Sequence, residues 1–248
     1  MTLNPIHKAL SIMLNCNVRF LVMGGQACIV YGGAEFSRDL DLCVVVDAAN
    51  QRALHTAFEL LQAEQIFVPG LEADALERGH ACHFRCHADG VAGLRIDLMT
   101  KLRGCPSFEE MWRRRLVIAL PEVGELGVLS LIHLVCAKKT QRDKDWPMIR
   151  RLIEADVLHT GNAPTDEQIL FWLREARTPE ILLRLATRYP SETAGMLAAR
   201  PLLRHALEQD RAAVARALTE EEQREREADQ VYWQPLREEL ERWRHGCC

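Results

Sequence analysis

The pattern of apolar positions gives the first elements. Ile6, Leu10, Met13 and Leu14 recur at helical spacing and predict a helix over residues 4–15. Residues 19–23 (RFLVM) are a short apolar run stopped by Gly24-Gly25, a strand followed by a breaker. Residues 26–31 predict a helical turn or more, closed by Gly32-Gly33. Residues 39–47 (DLDLCVVVD) alternate and then turn β-branched, so they predict a strand. Leu54, Phe58 and Leu61 give residues 48–65 the stripe of an amphipathic helix. Residues 82–87 and 94–100 are strand-like, and Ala88-Asp89-Gly90 with Gly93 predicts a hairpin between them. Residues 126–139 read as a Leu-rich helix. Pro147 fits the first turn of another that starts near Asp145.

The texture changes after Gly161. Residues 169–176, 180–189, 202–218 and 221–243 read as helices, punctuated by Pro164, Pro179, Pro190 and Pro201, with no repeat of fixed period. The expected fold class is α/β (α+β): a small mixed sheet flanked by helices, then an all-helical C-terminal part. The expected domains are 1–158 and 159–248.

Composition adds exclusions. The chain has 248 residues, 48% hydrophobic and 27% charged, which is the make-up of a globular protein. Its net charge of −4 argues against a surface coated in cations to hold nucleic acid non-specifically. Nine cysteines at this length read as reduced, mostly buried small side chains. The N-terminal stretch reads as a helix, not a secretory leader, and no apolar run reaches a membrane span of about 18 residues. The expectation is a cytoplasmic protein with no membrane partner. Cys247-Cys248 is expected to be frayed and exposed.

The average charge hides a local excess. Residues 95–151 carry 12 basic and 7 acidic side chains, and four of the five lysines fall between positions 101 and 144. The other 26 cations are Arg. Where Arg is the default, a retained ammonium suits a point-charge contact with phosphate.

The candidate chemistry lies in the acids. Asp39 and Asp41 flank Leu40 on an expected strand, where i and i+2 share a face about 6.5–7 Å apart. Two carboxylates so placed can converge on a hard cation such as Mg²⁺, which takes few protein oxygens and completes its shell with substrate phosphates. Asp97 sits between Ile96 and Leu98 on a second expected strand, and points out beside the pair if the strands are neighbours. Gly24 and Gly25 at a strand end let backbone approach a ligand closely.

Apolar-Gly-Gly, thirteen residues, Asp-x-Asp and then a later strand-borne Asp resembles the nucleotidyltransferase superfamily with the polymerase-beta-like fold. The resemblance covers residues 18–100. Lys138-Lys139-Thr140-Gln141-Arg142-Asp143-Lys144-Asp145 is similar to a Lys-rich segment of bacterial stand-alone, AbiEii-like nucleotidyltransferases. The resemblance implies transfer of a nucleoside monophosphate from a nucleoside triphosphate to a hydroxyl, with pyrophosphate leaving. It implies Asp39, Asp41 and Asp97 as catalytic residues and ligands of two Mg²⁺ ions, or Mn²⁺ in their place. It implies nucleotide contacts from Gly24, Gly25, Gln26, Arg38, Lys139 (or Lys138), Arg142, Lys144 and Asp145. The acceptor it allows is a tRNA or other RNA end, a small molecule or a protein. The partner it allows is an antitoxin or a second copy of the chain.

Other clusters are weighed against plainer roles. Arg38 either binds phosphate or pairs with Asp39 or Glu35. His80, Cys82 and Cys86 would face one side of a strand, and His83 and His87 the other, so they do not converge as a zinc site. His83, Arg85 and His87 instead share the face of Arg95 and Asp97 across the hairpin. Arg113-Arg114-Arg115 reads as a solvated face. The rival to catalysis is a non-catalytic protein that binds nucleotide or a partner on the same scaffold, and Mg²⁺-dependent product formation separates the two.

Overall fold

The computed structural model describes residues 4–245. Its elements in chain order are α1 (Pro5–Asn15), β1 (Phe20–Met23), α2 (Gly24–Val30), β2 (Leu40–Val44), α3 (Ala48–Leu61), β3 (Ala63–Gln65), α4 (Ala73–Arg78), β4 (Cys82–Cys86), β5 (Arg95–Met99), α5 (Phe108–Arg113), β6 (Leu116–Leu120), β7 (Gly124–Val128), α6 (Leu131–Ala137), α7 (Asp145–Thr160), α8 (Asp166–Glu175), α9 (Pro179–Arg188), α10 (Pro190–Gly195), α11 (Leu203–Leu207) and α12 (Arg211–Arg244). The class is the expected mixed α/β one, with helices flanking a mixed sheet and a helical C-terminal region.

The chain forms two compact units. The first comprises Met1–Val30, Glu35–Ala137 and Trp233–Cys248, and the second Tyr31–Ala34 and Lys138–Tyr232. The expected boundary at 158/159 falls inside α7. Asp145 to Thr160 is one helix, whose buried Trp146, Ile149, Leu152 and Ile153 belong with the helices of the second unit. The sequence texture changes later than the packing does.

The first unit holds one seven-stranded sheet in the order β3-β4-β5-β2-β1-β7-β6. β1 and β2 are antiparallel, β2 and β5 parallel, and β4 and β5 antiparallel, as the hairpin reading requires. Period-two burial sorts the faces. Cys82, Phe84, Cys86, Ile96 and Leu98 are buried, while His83, Arg85, Arg95 and Asp97 alternate with them on the more open side. α3 covers the buried face: Leu54, Ala57, Phe58 and Leu61 line its inner stripe, and the Phe58 ring lies 4.5 Å from that of Phe84. Asp47 caps α3 by accepting from the Asn50 N–H at 2.7 Å.

Several boundaries differ from expectation. The helix expected over 48–65 stops at Leu61, because Gln62 takes a left-handed conformation (φ 47°) and Ala63–Gln65 pair with β4. Asp39 precedes β2 and does not lie within it. Residues 126–128 end β7, so the helix expected over 126–139 is α6 alone. The helix expected over 202–218 breaks at Gln209 (φ 57°), and α12 runs on from Arg211.

Also in the first unit, His80 is 1% exposed and its Nε2 lies 2.7 Å from Glu239 Oε2. The Trp243 ring sits 4.7 Å from the imidazole and under the Arg78 guanidinium. Among the described residues no helix is long and apolar enough to cross a membrane. The Cys247-Cys248 expectation lies outside the described residues.

Candidate active site

Strand register brings two of the three acids together. In the parallel pair β2/β5, Asp41 stands opposite Asp97, with Leu40 beside Ile96 and Leu42 beside Leu98 on the buried face. Neighbouring strands lie about 4.8 Å apart, so both carboxylates start from adjacent points on one face. On the other flank of β2, Asp41 stands opposite Met23, the last residue of β1. The Gly24-Gly25 turn therefore falls beside the Asp41 carboxylate.

That turn is shaped by the acid. A Cβ on Gly24 would lie 1.9 Å from Asp41 Oδ2, and φ is +60° there. Both facts demand glycine. The Gly25 N–H donates to Asp41 Oδ2 at 3.3 Å. A Cβ on Gly25 would run into Ser37 Oγ at 2.3 Å. Ser37 in turn donates to the Asp39 carbonyl at 3.3 Å, and Gln26 Nε2 donates to the Ser37 carbonyl at 3.2 Å and reaches the Asp39 carbonyl at 3.5 Å. The loop before β2 is thus tied down through its backbone, and the Asp39 side chain stays exposed to solvent.

Asp97 is held as an anion. Its Oδ1 accepts from Arg95 Nε at 2.7 Å and lies 2.9 Å from His83 Nδ1. The same Nδ1 also lies 3.1 Å from Arg95 Nη2, so the imidazole tautomer sets whether it donates to Asp97 or accepts from Arg95. Burial pushes the Asp97 carboxyl up, but hydrogen bonds from His83 and Arg95, and their charges, outweigh it and hold it below the ordinary range. Arg95 feels all three acids. The Asp97 hydrogen bond, against some desolvation, and the charges of Asp97, Asp39 and Asp41 keep its guanidinium more firmly protonated. Its charge thus acts on all three carboxylates.

His83 and Arg85 lie on this face as the hairpin reading expected, opposite Asp97 and Arg95 in the register, and Arg85 is solvent-exposed. Cys82 and Cys86 point to the other face, where burial pushes their thiols up to about 12 and about 11. Arg38 is exposed and lies over the Phe36 ring at 5.8 Å. It pairs with neither Asp39 nor Glu35 among the described residues. Ser37 escaped the sequence reading, since a lone loop serine carries no periodic signal.

Among the described residues no three His, Cys, Asp or Glu side chains form a ready metal cage. The donor chemistry still suits Mg²⁺, which commonly binds one or two carboxylates and lets waters and substrate phosphates fill the octahedron. The space at Gly24 occupied by the Asp41 carboxylate fits that use.

The Lys-rich segment lies in the second unit and is bound up locally. Asp145 is buried and takes Lys138 at 3.1 Å, Arg142 Nε at 2.8 Å and the Thr140 hydroxyl at 2.7 Å. Burial pushes the Asp145 carboxyl up, yet Lys138, Thr140 and Arg142 together hold it below the ordinary range. Lys139 pairs with Glu175 at 2.8 Å. Lys144 is exposed at the start of α7 and has no ion pair among the described residues.

No family model matches this chain, and no curated protein matches it. Among solved structures the chain is similar to one described as a "putative nucleotidyltransferase from H. pylori". The identity is 15%, over 90% of this chain and 93% of that one, with a TM-score of 0.35.

Proposed function

We propose that this protein is a Mg²⁺-dependent nucleotidyltransferase, moving a nucleoside monophosphate from a nucleoside triphosphate to a hydroxyl acceptor. In that step the acceptor oxygen bonds to the α-phosphorus and the bond to the β-phosphate bridge breaks. Pyrophosphate leaves, and the acceptor's proton passes to an ionised carboxylate. The observation that supports the reading is the Asp41–Asp97 register beside a Gly-Gly turn shaped around Asp41. Asp41 and Asp97, with Asp39, would hold Mg²⁺, which when bound neutralises phosphate charge. His83 and Arg95 keep Asp97 ionised and oriented for that task. Ser37 and Gln26 fix the backbone at Asp39 while its side chain faces solvent. Arg38, exposed and outside ion pairs among the described residues, is a cation available to triphosphate oxygens.

The acceptor is taken to be a tRNA or other RNA end, a small molecule or a protein. The test incubates the protein with each labelled nucleoside triphosphate and Mg²⁺, with and without total RNA. Label moving to RNA, or to a small acceptor, supports the reading and names the acceptor class. The Asp39→Ala protein should keep its fold and lose transfer. Absence of product with every nucleotide, or a fully active Asp39→Ala protein, overturns it.

A further inference from the structure

Within the second unit a cavity of about 460 Å³ is lined by five cationic side chains and three carboxylates. Its inner charges are matched to one another. Arg200, 4% exposed, donates to Glu221 at 2.8 Å and to the carbonyls of Leu173 and Ala176. Lys139 pairs with Glu175 at 2.8 Å, with Glu225 at 3.9 Å. Arg177, 7% exposed, gives Nη1 to Glu221 at 2.5 Å.

Glu175 Oε2, buried without a well-aligned hydrogen bond, has Lys139 at 2.8 Å and Arg177 Nη2 at 3.6 Å as its countercharges, and two further features point to an anion. Arg177 Nε is buried with no acceptor among the described residues, an unsatisfied donor that an incoming oxygen would satisfy. Arg174 and Arg224 line the same cavity, are solvent-exposed and form no ion pair among the described residues. The surplus is therefore two guanidinium groups and one buried N–H. Planar guanidinium forks suit phosphate oxygens, and two forks can take one phosphoryl group each. The volume lies in the range of small-molecule sites. No aromatic side chain lines the cavity, so nothing there stacks a base.

We propose that this cavity binds a compact polyphosphate anion, one with two or more linked phosphoryl groups, through Arg174, Arg177 and Arg224. The proposal does not depend on the nucleotidyltransferase reading.

Isothermal titration calorimetry of the full chain with inorganic pyrophosphate tests it, in EDTA so that no divalent metal bridges pyrophosphate to the carboxylates. One-to-one binding is expected, with orthophosphate about tenfold weaker or more. R174Q/R224Q changes exposed side chains only and should bind pyrophosphate about tenfold more weakly. R177K keeps the charge but loses the Nε donor, and should also bind more weakly, with a circular-dichroism melt confirming its fold. D41N should bind as the native protein does. The proposal is overturned by absence of binding, by equal affinity for orthophosphate, by unchanged affinity in R174Q/R224Q, or by loss of binding in D41N. If the transferase assay fails while this binding persists, only the catalytic reading is lost.

Discussion

In the sheet unit the Arg95 guanidinium feels Asp39, Asp41 and Asp97, and none of the three acids is fully buried. In the helical unit a single buried acid, Asp145, is gripped by Lys138, Arg142 and Thr140. Both stretches stand out in the sequence as clustered charge, and their electrostatics are opposite. The first leaves its acids partly open to solvent, Asp39 most of all. The second is already neutralised, and its charges hold the turn between α6 and α7 in place. Charge density in a sequence therefore says less than whether partners of the opposite sign are at hand.

The contrast can be broken by exchanging the two kinds of acid. Asp41→Asn should lower transfer by at least about a thousandfold while the urea midpoint stays within error of native. Asp145→Asn should do the reverse. It leaves Lys138 and Arg142 facing a neutral amide, at a cost of about 3 kcal/mol in urea unfolding. Its pH dependence sharpens the point. The folded-state Asp145 carboxyl titrates below its ordinary value, so its stabilisation is present above the ordinary aspartate range and fades as pH falls through the lowered value. The stability gap between native protein and Asp145→Asn should therefore narrow on acidification. A gap that widens would contradict the assignment.

Gly24→Ala is a smaller perturbation on the catalytic side. Its methyl would overlap Asp41 Oδ2 on a backbone with φ +60°, costing about 2 kcal/mol and displacing the carboxylate, so thermal melting and transfer should fall together. The two lysines give the finest comparison. Lys139→Gln removes the partner of Glu175 and should cost about 1–2 kcal/mol. Lys144→Gln should stay within about 0.5 kcal/mol of native. If Lys144 contacts triphosphate, Lys144→Gln raises KM for the nucleotide. An unchanged KM removes it from the site.

The sequence made the β4–β5 hairpin readable because alternation leaves polar residues on one face, as at His83, Arg85, Arg95 and Asp97. It did not show that β5 lies against β2, since parallel pairing of distant strands is decided by packing and not by local pattern. β6 escaped because Leu116–Leu120 is a short apolar run whose side chains remain largely outside the core, so no period marks it. β7 was absorbed into the next helix, because Leu126 and Val128 blend with the apolar spacing of α6. The basic segment was legible as charge. Its neutralisation by Asp145 and Glu175 was not, because Glu175 is far away in sequence and burial has no one-dimensional signature.

The contact between His80 and Glu239 spans 159 residues of chain. Ribosomes add about 5–20 residues per second, so Glu239 is made about ten to thirty seconds after His80. All seven strands have been synthesised by Val128, yet throughout that interval the imidazole lacks its carboxylate and its Trp243 cover. The sheet unit is thus finished last, by a segment made after the whole helical unit. A nascent chain paused before Trp233 would carry a complete sheet with an unsealed edge at Gly79 and His80, open to chaperones and proteases until the ribosome moves on.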